Sequence, residues 1–288
     1  MVTISDGSSS AQISPVGAEL QSWIVGGQEL VWQRDPAFWK KSAPVLFPVV
    51  GWCNNGEILI GETHYPMPVH GFASTQTFSF VQQSESKIAF SLKVTSETRK
   101  HFPFAFGLEI TFQIKGDGLT TTMAVSNPGP NSLPYSIGHH PAFVLDAKSG
   151  SRPKYRIEFV SAETGKLPCI SPKGLFTEQT RAVDLEDGRI LRLDDAVFAD
   201  DALCFLDANS DSLRLVSENG SAIRVDVENL PHFAIWSKQG APFVSVECWS
   251  GHGDPEDYAG DIVNKPSISV LNPSAVGTHT IRYSFEGA

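Results

Sequence analysis

Three short segments of this chain set an ionisable side chain beside residues that bend or stiffen the backbone. They are Pro68-Val69-His70-Gly71-Phe72-Ala73, Ile137-Gly138-His139-His140-Pro141-Ala142-Phe143 and Pro242-Phe243-Val244-Ser245-Val246-Glu247-Cys248-Trp249. A carboxylate and an imidazole held together can take a proton from one atom and give one to another near neutral pH, which is general acid–base chemistry. Glu247 closes an apolar run, where a carboxylate carries a desolvation penalty unless it is paired or used. Trp249, two residues on, falls on the same strand face and offers an apolar wall. The plainer alternative is a strand-end glutamate facing water. His139 and His140 are neighbours, so in extended backbone they point to opposite faces and at most one can reach a given cleft. The other is expected at the surface or hydrogen-bonded in the core. His70 precedes Gly71, which could let a ligand approach the backbone closely; the plainer alternative is a loop histidine packed beside Phe72. His64, His101, His232, His252 and His279 lack a comparable context and read as structural or surface groups, with His252, close to Glu247 in sequence, the best placed of them.

The elements that must position these residues are strands. Alternating and β-branched or aromatic runs recur between clusters of Gly, Asn, Asp and Pro. Residues 76–82 and 87–95 read as paired strands. Residues 108–115 and 119–126 flank Gly116-Asp117-Gly118, residues 213–217 and 222–227 flank Asn219-Gly220, and residues 20–25 and 29–32 flank Gly26-Gly27, all hairpin signals. Residues 243–247 and 278–285 are further strand candidates. A helical period is not sustained anywhere; Asp35-Pro36-Ala37-Phe38-Trp39 predicts a single turn, with Asp35 as its cap. No linker, charge block or repeat divides residues 1–288, so the expectation is one large antiparallel β-sandwich domain, all-β, built from two packed sheets. Such a sheet offers the rigid concave face that sugars need for many directional hydrogen bonds.

Composition narrows the ligand. With 22 Lys and Arg against 32 Asp and Glu the net charge is −10, which disfavours nucleic acid and anionic membrane surfaces. Cys53, Cys169, Cys204 and Cys248 are widely spaced with no CxxC pair, so reduced thiols are expected and a zinc site is not. The stretch Met1 to Gln12 is polar and Ser-rich rather than basic and apolar, and no run is long enough to span a bilayer; the expectation is a cytoplasmic protein.

The segments, taken in order, resemble the aldose 1-epimerase (galactose mutarotase-like) family. Pro44-Val45-Leu46-Phe47-Pro48-Val49-Val50-Gly51 is similar to the family's early "P-hydrophobic-hydrophobic-FP" stretch, and His70-Gly71-Phe72-Ala73 to its "HGFA" turn. His101-Phe102-Pro103-Phe104 followed by Val125-Ser126-Asn127 resembles the approach to its central strand. Gly138-His139-His140-Pro141-Ala142-Phe143 resembles "GxHPAF", and the segment from Pro242 to Trp249 resembles "PFxxxEPW". The resemblance runs from about Ala11 to Phe285. It implies a β-supersandwich with an open sugar cleft and interconversion of the α and β anomers of a free aldose such as glucose or galactose. It implies Glu247 as catalytic base, His140 as general acid, His70 as a sugar contact, and Asp201 as a substrate-binding aspartate with Asp200 a nearby competitor. It implies no cofactor and no metal, and a small-molecule sugar as the partner of a monomer or homodimer. Beside its carboxylate, His140 is expected to titrate near neutrality.

Two departures stand out. The family commonly places an arginine after the Gly51 position to bind sugar hydroxyls; here Trp52 stands there, and its indole could stack on a pyranose instead. Cys248 replaces a proline after the glutamate. Two rivals share the scaffold: a hexose-6-phosphate 1-epimerase, which would need Arg or Lys clustered at the cleft rim, and a non-catalytic carbohydrate-binding protein.

Overall fold

The computed structural model describes residues 1–145 and 155–288. Among the described residues the regular structure is strand, interrupted only by short 3-10 turns. The expected hairpins are present. Gly107–Lys115 and Gly118–Ser126 pair antiparallel across the Gly116-Asp117 turn, as do Ser212–Val216 and Ala222–Glu228 across Asn219-Gly220. Burial alternates along the first pair because one face packs inward: Leu108, Ile110, Phe112 and Ile114 are buried, as are Leu119, Met123 and Val125.

These strands belong to a nine-stranded sheet ordered Ile190–Leu193, Tyr155–Phe159, Ser212–Val216, Ala222–Glu228, Val276–Glu286, Gly118–Ser126, Gly107–Lys115, Lys87–Lys93 and Ser79–Gln83. A six-stranded sheet runs Leu203–Phe205, His232–Trp236, Phe243–Trp249, Gly138–His139 and Val45–Leu46, with Ala142–Val144 also on Phe243–Trp249. A four-stranded sheet formed by residues 2–29 adds Ile4, Ile13, Leu20 and Trp23 to the large apolar core. That core also takes Leu108, Phe112 and Tyr283 from the nine-stranded sheet and Val45, Leu203, Phe233, Val244 and Val246 from the six-stranded one. The fold is the expected all-β sandwich. No helix among the described residues is long and apolar enough to cross a membrane.

The strand Phe243–Trp249 is buried along its whole length. Its even-numbered residues Val244, Val246 and Cys248 join the large core. Of its odd-numbered residues, Phe243 and Trp249 join two smaller clusters on the other face. Leu46, Cys204, Phe176 and Trp249 of one of those clusters line a cleft. Glu247 shares the parity of Phe243 and Trp249 and therefore opens into that cleft.

Candidate active site

The cleft encloses about 460 Å³, within the range of about 300–1,000 Å³ usual for small-molecule sites. Strand pairing decides which side chains reach it. Gly138 lies opposite Trp249, and His139 lies opposite Cys248. The strand then ends, and His140 turns to the cleft face with its N–H bonded to the Pro44 carbonyl at 3.1 Å. This register places His140 Nε2 3.1 Å from Glu247 Oε1, with both side chains buried. The second carboxylate oxygen accepts a 3.0 Å hydrogen bond from Trp249 Nε1. Gly138 is required here by space alone: a Cβ would lie 2.7 Å from Trp249 Cδ1, which crosses directly over it.

Burial drives both partners toward their uncharged forms. The Glu247 carboxyl lies well above the usual carboxylate range, mainly by desolvation; the Trp249 N–H opposes that rise and the Asp201 charge adds to it. His140 lies well below the usual imidazole range, first through desolvation and then through the neighbouring His70, with Lys41 adding to the effect. This corrects the expectation of titration near neutrality: the histidine is more deeply buried than that expectation allowed, and the desolvation outweighs the pull of its carboxylate neighbour. At 3.1 Å the two groups titrate as a coupled pair rather than independently.

Two indoles hold the His140 ring. Trp39 stacks on it with centroids 4.8 Å apart and planes at 26°, and Trp236 meets it edge-on at 5.8 Å. Such a face favours the imidazolium whenever the proton sits there. Trp39 arrives through the capped turn expected at Asp35, where Phe38 and Trp39 N–H groups bond to the Asp35 carbonyl and Ala37 N–H to its carboxylate.

His70 sits edge-on to His140 with centroids 5.8 Å apart. Its Nδ1 accepts the Gly51 N–H at 3.1 Å, so in the neutral ring the proton resides on Nε2, leaving a donor for the cleft. Burial lowers its pKa to about 4, helped by Lys41. Gly71 serves a different purpose from the one expected of it. At φ +71° its missing Cβ makes room for the Phe47 carbonyl, which would lie 2.2 Å away, so backbone rather than ligand approaches there.

Asp201 and Trp52 also line the cleft. Asp201 adopts φ 72° and its Oδ1 accepts the Ala202 N–H at 2.7 Å. Arg181 holds this loop by donating to the Asp201 and Ala202 carbonyls at 3.1 and 2.8 Å. Asp200, the competitor, points away into solvent, 3.8 Å from Arg181. Trp52 is 46% exposed at the rim, and its indole packs over Gly174. Cys248 faces the inter-sheet core, not the cleft. His139 also faces that core, where its Nδ1 meets the Tyr283 hydroxyl at 2.8 Å. His252 lies against His232 and Phe176 outside the cleft lining.

Sequence reasoning passed over Trp39, Lys41 and Trp236. The alternation of Trp39 and Lys41 around exposed Lys40 was the available signal. Among the described residues no group of three His, Cys, Asp or Glu side chains is placed to hold a metal ion.

The profile of a family described as aldose 1-epimerase matches residues 1–284. The chain is 30% identical over 257 residues to the plasmid-encoded protein LacX of Lactococcus lactis subsp. lactis, covering 86% of each. It superposes on a galactose mutarotase-like protein from Lactobacillus casei with a TM-score of 0.93 at 28% identity, covering 99% of this chain and 100% of that one. A galactose mutarotase related enzyme from Lactobacillus acidophilus gives 0.91 at 26% identity, covering 99% and 97%.

Proposed function

The chain belongs to the aldose 1-epimerase family, and from that premise we propose that it is a mutarotase, with Glu247 as base and His140 as acid. The observation that carries this reading is the 3.1 Å contact between Glu247 and His140 in a cleft of sugar size. Ring opening breaks the bond from C1 to O5. It needs a proton removed from O1 and a proton delivered to O5, and both oxygens are bonded to C1. A carboxylate and an imidazolium side by side match that pair of neighbouring atoms.

The dyad starts as carboxylate and imidazolium and ends as carboxylic acid and imidazole. Glu247 has taken the O1 proton and His140 has given one to O5, so one proton stays on the pair throughout. Burial favours the uncharged form of both, which is the form the pair takes while the ring is open. Rotation about C1–C2 turns the aldehyde, and the reverse transfers close the ring on its other face. His70 Nε2–H and the Asp201 carboxylate supply polar contacts to the sugar, and Trp52 an apolar one.

A free aldose suits the cleft better than a phosphosugar. Among the described residues Lys41 is the one lysine or arginine on its lining, whereas phosphate recognition favours several converging guanidinium or ammonium groups. The test is NMR or polarimetry on freshly dissolved α-D-glucose and α-D-galactose, with glucose 6-phosphate alongside. Anomer exchange accelerated in proportion to protein, and fastest on a free sugar, is the expected outcome. Saturable sugar binding with no acceleration would leave a carbohydrate-binding protein instead.

A further inference from the structure

Resting on that reading, we propose that Lys41 is the substrate-positioning cation of this cleft. The residue after Gly51, Trp52, places an indole at the rim of the cleft and not a charge. Lys41 instead enters from the strap between the Asp35 turn and Pro44. Trp39 and Lys41 line the cleft, while Lys40 between them is exposed.

The strap is fixed by a buried carboxylate. Glu19, 8% exposed, accepts the N–H groups of Ser42 and Ala43 at 2.9 and 3.3 Å. Ser42 Oγ donates to the Trp32 carbonyl at 2.7 Å. The lysine next to this anchor is half-buried, and its Nζ donates a long hydrogen bond, 3.5 Å, to the Ser74 carbonyl. An ammonium has three donors, so Lys41 retains hydrogen-bonding capacity on the wall it shares with His70 and Ser74. Its charge reaches both histidines of the site. These features fit the recognition of a neutral sugar hydroxyl: one cation on the cleft lining, carried by an anchored strap, with donors to spare.

The test compares wild type with Lys41→Met and Lys41→Arg on glucose, galactose and their monodeoxy analogues. Lys41→Met is expected to raise KM by about tenfold or more, the worth of one hydrogen bond to a charged group, with a smaller change in kcat. Lys41→Arg is expected to restore the affinity. One deoxy sugar should lose affinity with wild type yet lose none further with Lys41→Met, which identifies the hydroxyl held. The alkaline limb of the Lys41→Met pH profile should move to higher pH, because a cation opposing His140 protonation is gone. A Lys41→Met protein with wild-type KM on every sugar overturns the proposal. If wild type accelerates no anomer exchange, the catalytic reading falls by itself, and the same series read by tryptophan fluorescence titration decides Lys41. There, weaker sugar binding by Lys41→Met supports it, while equal binding or no binding of any aldose overturns it.

Discussion

His139 and His140 are consecutive residues, both buried, both with depressed pKa values, and yet they inhabit different chemistries. His139 points between the sheets and meets the Tyr283 hydroxyl, so its ring ties the six-stranded sheet to the nine-stranded one. His140 points to the opposite side and meets a carboxylate, two indoles and a second histidine in a cavity. Burial by itself therefore does not mark a functional histidine. What separates the two is the partner and the access: a neutral hydroxyl in a filled core can only satisfy a hydrogen bond, whereas a carboxylate beside an open volume can exchange protons with a ligand.

The contrast breaks most sharply in kinetics. Glu247→Gln and His140→Asn should each lower kcat by about 10²–10⁴-fold, the usual range for one positioned acid or base. Both variants should keep the near-ultraviolet circular dichroism of the wild type. NMR exchange spectroscopy on the anomeric protons of galactose measures the rate. Wild-type turnover in either folded variant would falsify that residue's role in proton transfer.

Local pattern carried the hairpins, because Asn219-Gly220 and Gly116-Asp117-Gly118 fix their own turns. It also placed Glu247 at the end of a buried strand. It could not show that Glu247 and His140 meet, because that depends on Gly138 pairing with Trp249, a register between segments more than a hundred positions apart. Nor could it show Lys41 in the cleft, since the strap is aimed by Glu19, which lies far upstream. The titration of His140 is hidden for the same reason: desolvation is a sum over tertiary neighbours, and Trp39 and Lys41 come from one distant segment and His70 from another. Alternation left His139 either at the surface or hydrogen-bonded in the core; what decides for the core is Tyr283, supplied by a strand near the far end of the chain.

A milder change sharpens the cleft side of the comparison. Trp249→Phe keeps the apolar wall but deletes the N–H that Glu247 Oε2 accepts. That donor holds the carboxyl pKa down against burial, so its loss raises the pKa further. The base must be ionised to act, so the acid limb of the pH–rate profile should move to higher pH. Turnover at neutral pH should fall by about tenfold, the value of a hydrogen bond to a charged acceptor. An unmoved acid limb would show that the indole does not tune the base.

On the core side the expected effect lies in stability. His139→Leu removes a buried hydrogen bond and strands the Tyr283 hydroxyl, a cost of about 1–3 kcal/mol, to be read from urea unfolding at pH 7 while kcat stays near wild type. Acid sharpens the point. Burial lowers the His139 pKa to about 4 in the folded chain, against an unperturbed value near 6.5. Between those two values the unfolded state binds the proton and the folded state does not. Stability is therefore fullest above about pH 6.5 and falls as the pH drops toward 4, with one proton corresponding to about 1.4 kcal/mol per pH unit. His70 and His232, also lowered to about 4 mainly by burial, add to the same slope. His139→Leu deletes one of these contributions, so its unfolding free energy should fall less steeply over that window, and the gap to wild type should narrow with acid. A gap that stays constant from pH 7 to 4.5 would mean that His139 gains its proton without leaving the fold, and that burial does not hold the core histidine neutral.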